Sequence, residues 1–287
     1  MNLTPGQRLS GGERAAYEVL GPAFEAPPHH YYRARKVFWN LRPADPILYE
    51  ADADECLDVL LRVAIAPGPC DLRFELDSVL SIPDAPGLPL PVDALETPEG
   101  PVLILGEMPG RTIPSGPVSD PATLIRRVRI LREVLELFAA YHRRELVTGG
   151  LDLGDFRVDD SGRWWFLGTS RAVPSATPAM LADDLTSWGS LSYELLFGRR
   201  PTSVPAEQPP ALDGPEVATL ADSLAGWDRE EFRRLIVRMG RCFGGPPGDR
   251  PTSAIDLIRG PIAPPGTIGS LRSALGAIRE RLRGGRP

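Results

Sequence analysis

The stretch from Leu146 to Ala172 reads LVTGGLDLGDFRVDDSGRWWFLGTSRA and says more about the architecture than any other. Apolar and charged residues alternate in Phe156-Arg157-Val158, and a second apolar run covers Trp164 to Leu167. Between them, Asp159-Asp160-Ser161-Gly162 has the composition of a tight turn. The stretch therefore predicts a short connector followed by a β-hairpin.

The segment before this hairpin is predicted to be a long amphipathic helix. From Thr123 to Arg144 the apolar residues recur at helical spacing. They are Leu124, Val128, Leu131, Leu135, Phe138 and Tyr141. Asp120-Pro121 suits the N-terminal cap and first turn. The order is thus helix, loop and hairpin.

This order resembles the catalytic core of protein kinases of the eukaryotic type, bacterial members included. Four stretches carry the resemblance, in the family's order: Asp58–Val63, Leu146–Ala172, Asp184–Pro201 and Gly248–Ala254. The first stretch, Asp-Val-Leu-Leu-Arg-Val, resembles the family's third strand. The last stretch begins with Gly-Asp-Arg-Pro-Thr and resembles the family's late Asp-Arg-Pro-Thr motif. The resemblance extends over roughly residues 3 to 262 and identifies the chain as similar to a degenerate bacterial Ser/Thr-type kinase, a pseudokinase.

The resemblance implies an α+β, two-lobed protein kinase-like fold, with a small β-rich N-lobe and a mainly helical C-lobe. We expect residues 1–108 to form the N-lobe, with an insertion at about 36–58. Residues 109–262 would form the C-lobe with a shortened activation segment, because only 15 residues separate Gly168 from Asp184. Residues 263–287 would form a C-terminal helical tail.

The positions that carry phosphoryl transfer in the family are altered in this chain. The family's catalytic Asp falls at Gly150, its loop lysine at Asp152 and its metal-binding Asn at Asp155. The aspartate of Asp-Phe-Gly, the main magnesium ligand, falls at Gly168. Because glycine supplies neither a base nor a metal ligand, the resemblance implies no catalytic residue and no phosphotransfer.

The two aspartates of this loop allow more than one reading. On a loop, carboxylates such as Asp152 and Asp155 commonly cap helices, form turns or remain solvated. The alternative is a divalent-cation site completed by Asp159 or Asp160. We expect the former, and no metal.

The resemblance also implies a residual nucleotide cleft. The segment Leu20 to His30 keeps only Gly21 of the family's phosphate-binding loop, and its prolines remove N–H donors. Arg62 stands at the position of the ATP-anchoring lysine. Asp77 stands at the position of that lysine's glutamate partner, with Glu75 as a near alternative. We expect an Arg62–Asp77 pair, although both side chains could simply be solvated or structurally paired.

Two further residues would line this cleft. Leu105 falls at the gatekeeper position, and Met108 lies in the segment that resembles the hinge. With Arg62 and Asp77 they form the predicted nucleotide site, where weak ATP binding could survive; otherwise we expect no cofactor.

Asp184 is expected to brace the loop backbone at Gly149-Gly150. In the resembling family, the arginine at the position of Arg250 pairs with a glutamate. This sequence has no residue that corresponds to that glutamate.

Composition narrows the function classes. A net charge of −6 over 287 residues gives no general attraction for nucleic acid or an anionic membrane. Three cysteines without metal-type spacing favour reduced thiols in a cytoplasmic protein. No apolar run approaches the roughly 18 residues of a membrane span, and the N-terminus lacks a signal-peptide core.

The sequence therefore favours a catalytically inactive scaffold or allosteric regulator that binds another protein, such as an active kinase or phosphatase. Two surfaces could bind this partner, the Lys36–Asp58 insertion and the amphipathic segment Ile268–Arg283. The insertion is either a β-ribbon packed on its own lobe or a docking surface. One alternative is an atypical nucleotide-dependent enzyme using Arg62, Asp152 and Asp155. The other is a switch that binds ATP without hydrolysis.

Overall fold

A computed structural model of the chain describes most of its residues. The described residues are 2–10, 15–26, 29–40, 47–49, 58–64, 72–82, 85–89, 91–98, 100–106, 110–118, 120–174, 176–201, 212, 214–243 and 251–259. They divide into two compact units. The first comprises Met1–Ile113 and Leu153–Ala172, and the second comprises Pro114–Asp152 and Val173–Pro287.

The first unit is built on a seven-stranded sheet. Its strands are β1 (Arg8–Ser10), β2 (Ala15–Ala26), β3 (His29–Asn40), β4 (Ile47–Tyr49), β5 (Asp58–Ala64), β6 (Pro91–Thr97) and β7 (Gly100–Gly106). The order is β1-β2-β3-β5-β7-β6, β4 pairs with β3, and every pairing is antiparallel. One helix, α1 (Leu72–Leu80), lies between β5 and β6 in the chain.

Both faces of this sheet are covered, which explains the nearly continuous apolar runs of β5 and β7. Because side chains alternate along a strand, Leu61 and Val63 pack with Tyr17 and Val19 on one face. Leu60 points to the other face, where it packs with Leu103, Leu105, Trp165 and Leu167. Arg62 has the same parity as Leu60 and therefore lies on this second face.

The predicted hairpin is present and belongs to the first unit. Strands β9 (Phe156–Val158) and β10 (Trp164–Phe166) pair antiparallel, and β8 (Arg111–Thr112) adds to β9. The Asp159 side chain closes the turn by accepting hydrogen bonds from the backbone N–H groups of Ser161 and Arg163, each at 2.9 Å. Two 3₁₀ turns flank the hairpin, Leu153–Asp155 and Gly168–Arg171.

The second unit is helical. Its helices are α2 (Pro121–Arg143), α3 (Pro178–Phe197), α4 (Pro215–Asp222), α5 (Gly226–Phe243) and α6 (Ala254–Arg259). The predicted helix start is confirmed, since the Asp120 carboxylate accepts the Thr123 N–H at 2.8 Å and Pro121 is the first helical residue. The buried Trp188 of α3 donates its indole N–H to the Leu131 carbonyl at 3.0 Å and so fixes α3 against α2.

Part of the predicted insertion at 36–58 is a β-ribbon. The end of β3 pairs with β4, with Phe38 opposite Tyr49 and Asn40 opposite Ile47. The rest of the insertion lies outside the described residues, as do Met108, Arg250 and the predicted tail at 263–287. Among the helices that the structure describes, none combines the length and apolar character needed to cross a bilayer.

Candidate functional site

Arg62 sits in a buried ionic cluster of the first unit. Its side chain and that of Glu75 on α1 are 2% and 1% exposed. Both terminal nitrogens of the guanidinium donate to the Glu75 carboxylate, Nη1 to Oε1 at 2.5 Å and Nη2 to Oε2. The Thr169 hydroxyl completes the cluster, since it accepts from Arg62 Nη1 at 3.2 Å and donates to Glu75 Oε1.

The predicted Arg62–Asp77 pair is therefore wrong, and the near alternative Glu75 is the partner. Residues two apart on an α-helix are separated by about 200° around its axis, so Glu75 and Asp77 point in nearly opposite directions. Glu75 faces the sheet and is buried, whereas Asp77 is exposed. The ionic strut at the position of the family's lysine–glutamate pair is present, with arginine in place of lysine.

Burial and charge shift several pKa values around this cluster. Burial alone would raise the pKa of Glu75, but the Arg62 guanidinium and the hydrogen bonds from Arg62 and Thr169 outweigh it, and the pKa lies below its usual range. Burial, followed by the positive charge of Arg62, lowers the pKa of His29 to about 3. Burial raises the pKa of Tyr31 to about 12. At neutral pH the pair is thus ionised while His29 and Tyr31 are uncharged.

The segment that replaces the phosphate-binding loop is a strand carrying an aromatic stack. Phe24 of β2 lies parallel to the Tyr31 ring of β3, with centroids 4.5 Å apart and an interplanar angle of 16°. The Arg157 guanidinium lies 3.8 Å from the Phe24 centroid on the hairpin side. The described residues of this segment are thus paired strands that carry aromatic rings. A glycine loop would instead offer backbone N–H groups to phosphate.

Leu105 is also engaged within the first unit. It is 3% exposed and belongs to an apolar cluster with Tyr31, Leu60, Trp165 and Leu167. At the family's third strand this chain also has Leu60 where the resembling motif has alanine. The nucleotide-binding role of Arg62, Asp77, Leu105 and Met108 stays a prediction.

Gly168 has no room for a side chain. A Cβ atom at this position would lie 2.5 Å from Phe166 Cζ and 2.7 Å from Arg171 Nη2. Real Cβ atoms essentially never approach other atoms so closely, so a side chain here would require the buried Phe166 ring and the end of the Arg171 side chain to move.

Asp155, at the family's second metal-binding position, is already paired. Its Oδ2 accepts from Arg171 Nη2 at 2.5 Å, and its side chain is 8% exposed. Its backbone carbonyl accepts the Leu167 N–H at 2.7 Å, which ties the first 3₁₀ turn to the end of the hairpin.

The residues present do not fit the magnesium site that the fold implies. In kinases, side chains at the two positions just described hold Mg²⁺. Here one position is Gly168 and the other, Asp155, faces a guanidinium. Among the described residues, no group of three or more His, Cys, Asp or Glu side chains could hold a metal ion. Asp159 closes its own turn, with its pKa lowered by hydrogen bonds from Ser161 and the turn backbone, and Asp160 is exposed.

In the second unit, Asp184 anchors the loop that precedes Gly150. Its carboxylate accepts the Thr148 N–H and the Thr148 hydroxyl, each at 2.8 Å. It also lies 3.2 Å from His142 Nε2, and His142 Nδ1 accepts the Ala254 N–H at 2.9 Å. Because Nδ1 is an acceptor, the proton of the neutral ring lies on Nε2 and points to Asp184. These contacts secure the loop at Thr148, beside the predicted Gly149-Gly150.

Gly150 and Asp152 occupy the rest of this loop. Gly150 has φ +95°, and a Cβ atom there would meet nothing closer than Ser187 Oγ at 3.8 Å. Asp152 is exposed and pairs with Arg200 Nη2 at 2.7 Å, while Arg200 Nε contacts Glu194 at 2.7 Å. Hydrogen bonds to these two carboxylates raise the pKa of Arg200.

The segment after the hairpin is short. Only the six residues from Ala172 to Thr177 separate the second 3₁₀ turn from α3. Val173 pairs with Val147 through two backbone hydrogen bonds of 3.0 and 3.1 Å. Pro178 to Met180 form the first turn of α3, and the Thr177 hydroxyl caps it by accepting the Met180 N–H at 3.3 Å.

Sequence reasoning missed two residues of the site, Thr169 and Arg171. Thr169 stands at the apolar position of the family's Asp-Phe-Gly triplet, and an arginine three residues after Gly168 is one among 31 in the chain. Only the buried carboxylates of Glu75 and Asp155, each needing a donor, could have indicated them.

Comparison with solved structures identifies the fold of this chain. No known protein-family profile and no curated protein sequence matches the chain. Solved structures do match. A rhoptry kinase from Toxoplasma gondii is similar with a TM-score of 0.55 at 12% identity, over 96% of this chain and 85% of that one. The kinase PK-1 of Cydia pomonella granulovirus is similar with a TM-score of 0.54 at 11% identity, over 86% of this chain and 94% of that one.

Identity this low bears on the fold alone. The similarity in fold agrees with the sheet-rich first unit and the helical second unit. The predicted fold class is confirmed: the chain has a two-lobed, α+β protein kinase-like fold.

Proposed function

We propose that this protein is a catalytically inactive pseudokinase of bacterial type that works by binding another protein. The observation that carries the proposal is Gly168. The position of the main metal ligand lacks a carboxylate, and Phe166 and Arg171 fill the space that a carboxylate would need. A kinase that lost this side chain by a single substitution would retain the space for it.

The nucleotide-facing residues support the same reading. Phosphoryl transfer needs backbone donors on the phosphates and a cation on the transferred group. The part of the chain that resembles the phosphate-binding loop carries the Phe24–Tyr31 stack with Arg157 beside it, and Leu105 is buried in an apolar cluster of its own unit. We therefore propose that the protein needs no cofactor.

The test of inactivity is a phosphotransfer assay on the purified full chain. With γ-labelled ATP and Mg²⁺ or Mn²⁺, we expect no label on the protein or on a generic acceptor. Asp152→Ala and Asp155→Ala serve as companion variants, since these are the carboxylates of the loop. Robust metal-dependent transfer that survives both substitutions would mean that the active centre lies elsewhere and would overturn the proposal.

The partner that we propose is another cytoplasmic protein, such as an active kinase or phosphatase. The surfaces proposed for it are the Lys36–Asp58 insertion and the Ile268–Arg283 segment. The ribbon formed by β3 and β4 supports the first, because β4 adds a strand beside the end of β3, and strand pairing is one way in which sheets bind other chains.

The binding role can be tested by affinity capture with the full chain. Trp39→Asp with Leu48→Asp would disrupt the ribbon, and Leu275→Asp would disrupt the C-terminal stripe. Leu80→Asp, at a side chain that is 55% exposed on α1, is the matched control. We expect a kinase or phosphatase to be captured by the wild type and the control and lost with one of the other two. Equal capture by all variants would exclude both surfaces.

A nucleotide-dependent role is the second candidate, and the buried Arg62–Glu75 pair favours it. A ligand that binds only the folded state raises the melting temperature, so titration with ATP separates the alternatives. No shift supports the binding role alone. A shift without metal supports an ATP-binding switch, and a shift that needs Mg²⁺ or Mn²⁺ supports an atypical nucleotide-dependent enzyme.

A further inference from the structure

Arg171 makes two contacts that belong to a cation. Its Nη2 atom lies 2.5 Å from Oδ2 of Asp155 and would lie 2.7 Å from a Cβ atom at Gly168. One positively charged nitrogen thus sits against both positions from which the fold normally holds a divalent metal. The Asp155 side chain is 8% exposed and the Arg171 side chain is 32% exposed, so the carboxylate is shielded from water while part of the arginine side chain reaches it.

We propose that the Arg171 guanidinium takes the place of the metal ion in this protein and holds the site in one state without any ligand. A guanidinium stays protonated at every physiological pH and presents several donors in one plane, so it neutralises Asp155 permanently. A metal ion occupies its site only at a sufficient concentration, whereas Arg171 is always present because it is part of the chain. The inference does not require the proposed protein-binding role.

The same 3₁₀ turn is fixed from a second side. Thr169, two residues before Arg171, donates to Glu75 of α1 and accepts from Arg62. The turn Gly168–Arg171 therefore joins α1 through Thr169 and the first 3₁₀ turn through Arg171. In an active kinase, metal and nucleotide contribute to holding these elements; here side chains of the protein do so.

The surrounding charges oppose a divalent metal. Among the described residues, two ion pairs involve or adjoin this turn, Arg62 with Glu75 and Arg171 with Asp155, so each of these carboxylates faces an arginine. His29 is kept neutral by burial and by these cations. A metal ion entering the site would have to displace Arg171, and it would meet the positive charge of both arginines.

The inference is tested with the full chain by replacing the internal cation. In Arg171→Ala, Asp155 is left as a shielded carboxylate without this partner, so we expect a lower Tm than in the wild type. Millimolar ethylguanidinium should raise the Tm of this variant saturably, relative to NaCl of equal ionic strength, whereas Mn²⁺ should not, because the described residues offer no group of three metal ligands. The wild type should not respond. Arg129→Ala, on the exposed face of α2, is the matched control and should be unchanged and unresponsive.

The double variant Arg171→Ala with Asp155→Asn guards against loss of folding in the single variant. It removes the charges of both members of the Arg171–Asp155 pair, so it should regain most of the lost Tm and lose the response to cations. Hydrogen exchange of residues 168–171 and 72–80 should be faster in Arg171→Ala and close to wild type in the double variant. A saturable Mn²⁺ response of the wild type, or a single or double variant that departs from these results, would overturn the inference.

Discussion

Gly168 and Gly150 stand at the two positions where the resembling family has its essential aspartates, and they exclude a side chain for different reasons. At Gly168 the space is filled, with Phe166 and Arg171 within 2.7 Å of where a Cβ atom would be. At Gly150 the space is open to 3.8 Å, but the backbone has φ +95°, which disfavours any L side chain. One is closed by packing and the other by backbone conformation.

The difference indicates what a side chain at each position would require. A packed site must be rebuilt by several side chains before an aspartate could return. A loop with a left-handed residue needs only a change in its own backbone. In the first unit the position is closed by neighbouring side chains, whereas in the second a loop anchored by Asp184 surrounds an open position.

The largest effect is expected from Glu75→Ala, which removes the carboxylate from the packed region. Arg62, with a side chain that is 2% exposed, would keep its buried charge without this partner. Breaking a buried pair on one side costs about 3–5 kcal/mol of unfolding free energy. Equilibrium urea unfolding of the first unit measures this loss.

Asp77→Ala is the matched control for this prediction. Asp77 lies two residues further along the same helix and is exposed, so its removal should change the free energy of unfolding by less than about 0.5 kcal/mol. If the two variants lose equal stability, the pairing of Arg62 with Glu75 is not what holds this region together.

The comparison itself is tested most directly by Gly168→Ala. The added methyl group would overlap the Phe166 ring, and overpacking of this kind costs about 1–3 kcal/mol. Larger side chains should cost more, in the order of their volume. Gly240→Ala, in the interior of α5, is the control, because a Cβ atom there would approach nothing closer than Leu212 Cδ1 at 3.5 Å, an ordinary contact distance. A Gly168→Ala protein as stable as the control would remove the packing argument.

The sequence predicted much of this arrangement because its signals are local. The β9–β10 hairpin follows from alternation and turn chemistry, and the start of α2 follows from Asp120-Pro121. The glycines at the positions that resemble the family's two aspartates are visible in the sequence itself once the resemblance is recognised. Each of these features depends on residues a few positions apart.

The missed features depend on contacts between distant segments. The choice between Glu75 and Asp77 is set by the rotation of α1 against the sheet, which the sequence of a nine-residue helix does not specify. Arg171 and Thr169 matter only because packing brings them to Asp155, Glu75 and Arg62. Register and side-chain packing are therefore the level at which sequence reasoning failed here.

The packed region also predicts a pH response. The pKa of His29 in the folded protein is about 3, below its ordinary value of 6.5, so the unfolded chain binds the proton first as the pH falls. Stability is therefore lost from pH 6.5 towards pH 3, by roughly 2 kcal/mol at pH 5. In His29→Gln this contribution is absent. Unfolding curves at pH 7 and pH 5 for both proteins measure it, and equal losses would contradict the assignment.

The smallest effect is expected at the open position, where Gly150→Ala should cost about 1 kcal/mol through its backbone alone. The ranking of larger residues then distinguishes the two glycines. At Gly150, asparagine should be tolerated better than the β-branched valine, because asparagine adopts positive φ more readily. At Gly168 both should be poorly tolerated because both exceed the available space. Urea unfolding of the four variants gives the ranking. A volume-ordered loss at Gly150 would show that its loop is closed by packing after all, and the contrast between the two positions would disappear.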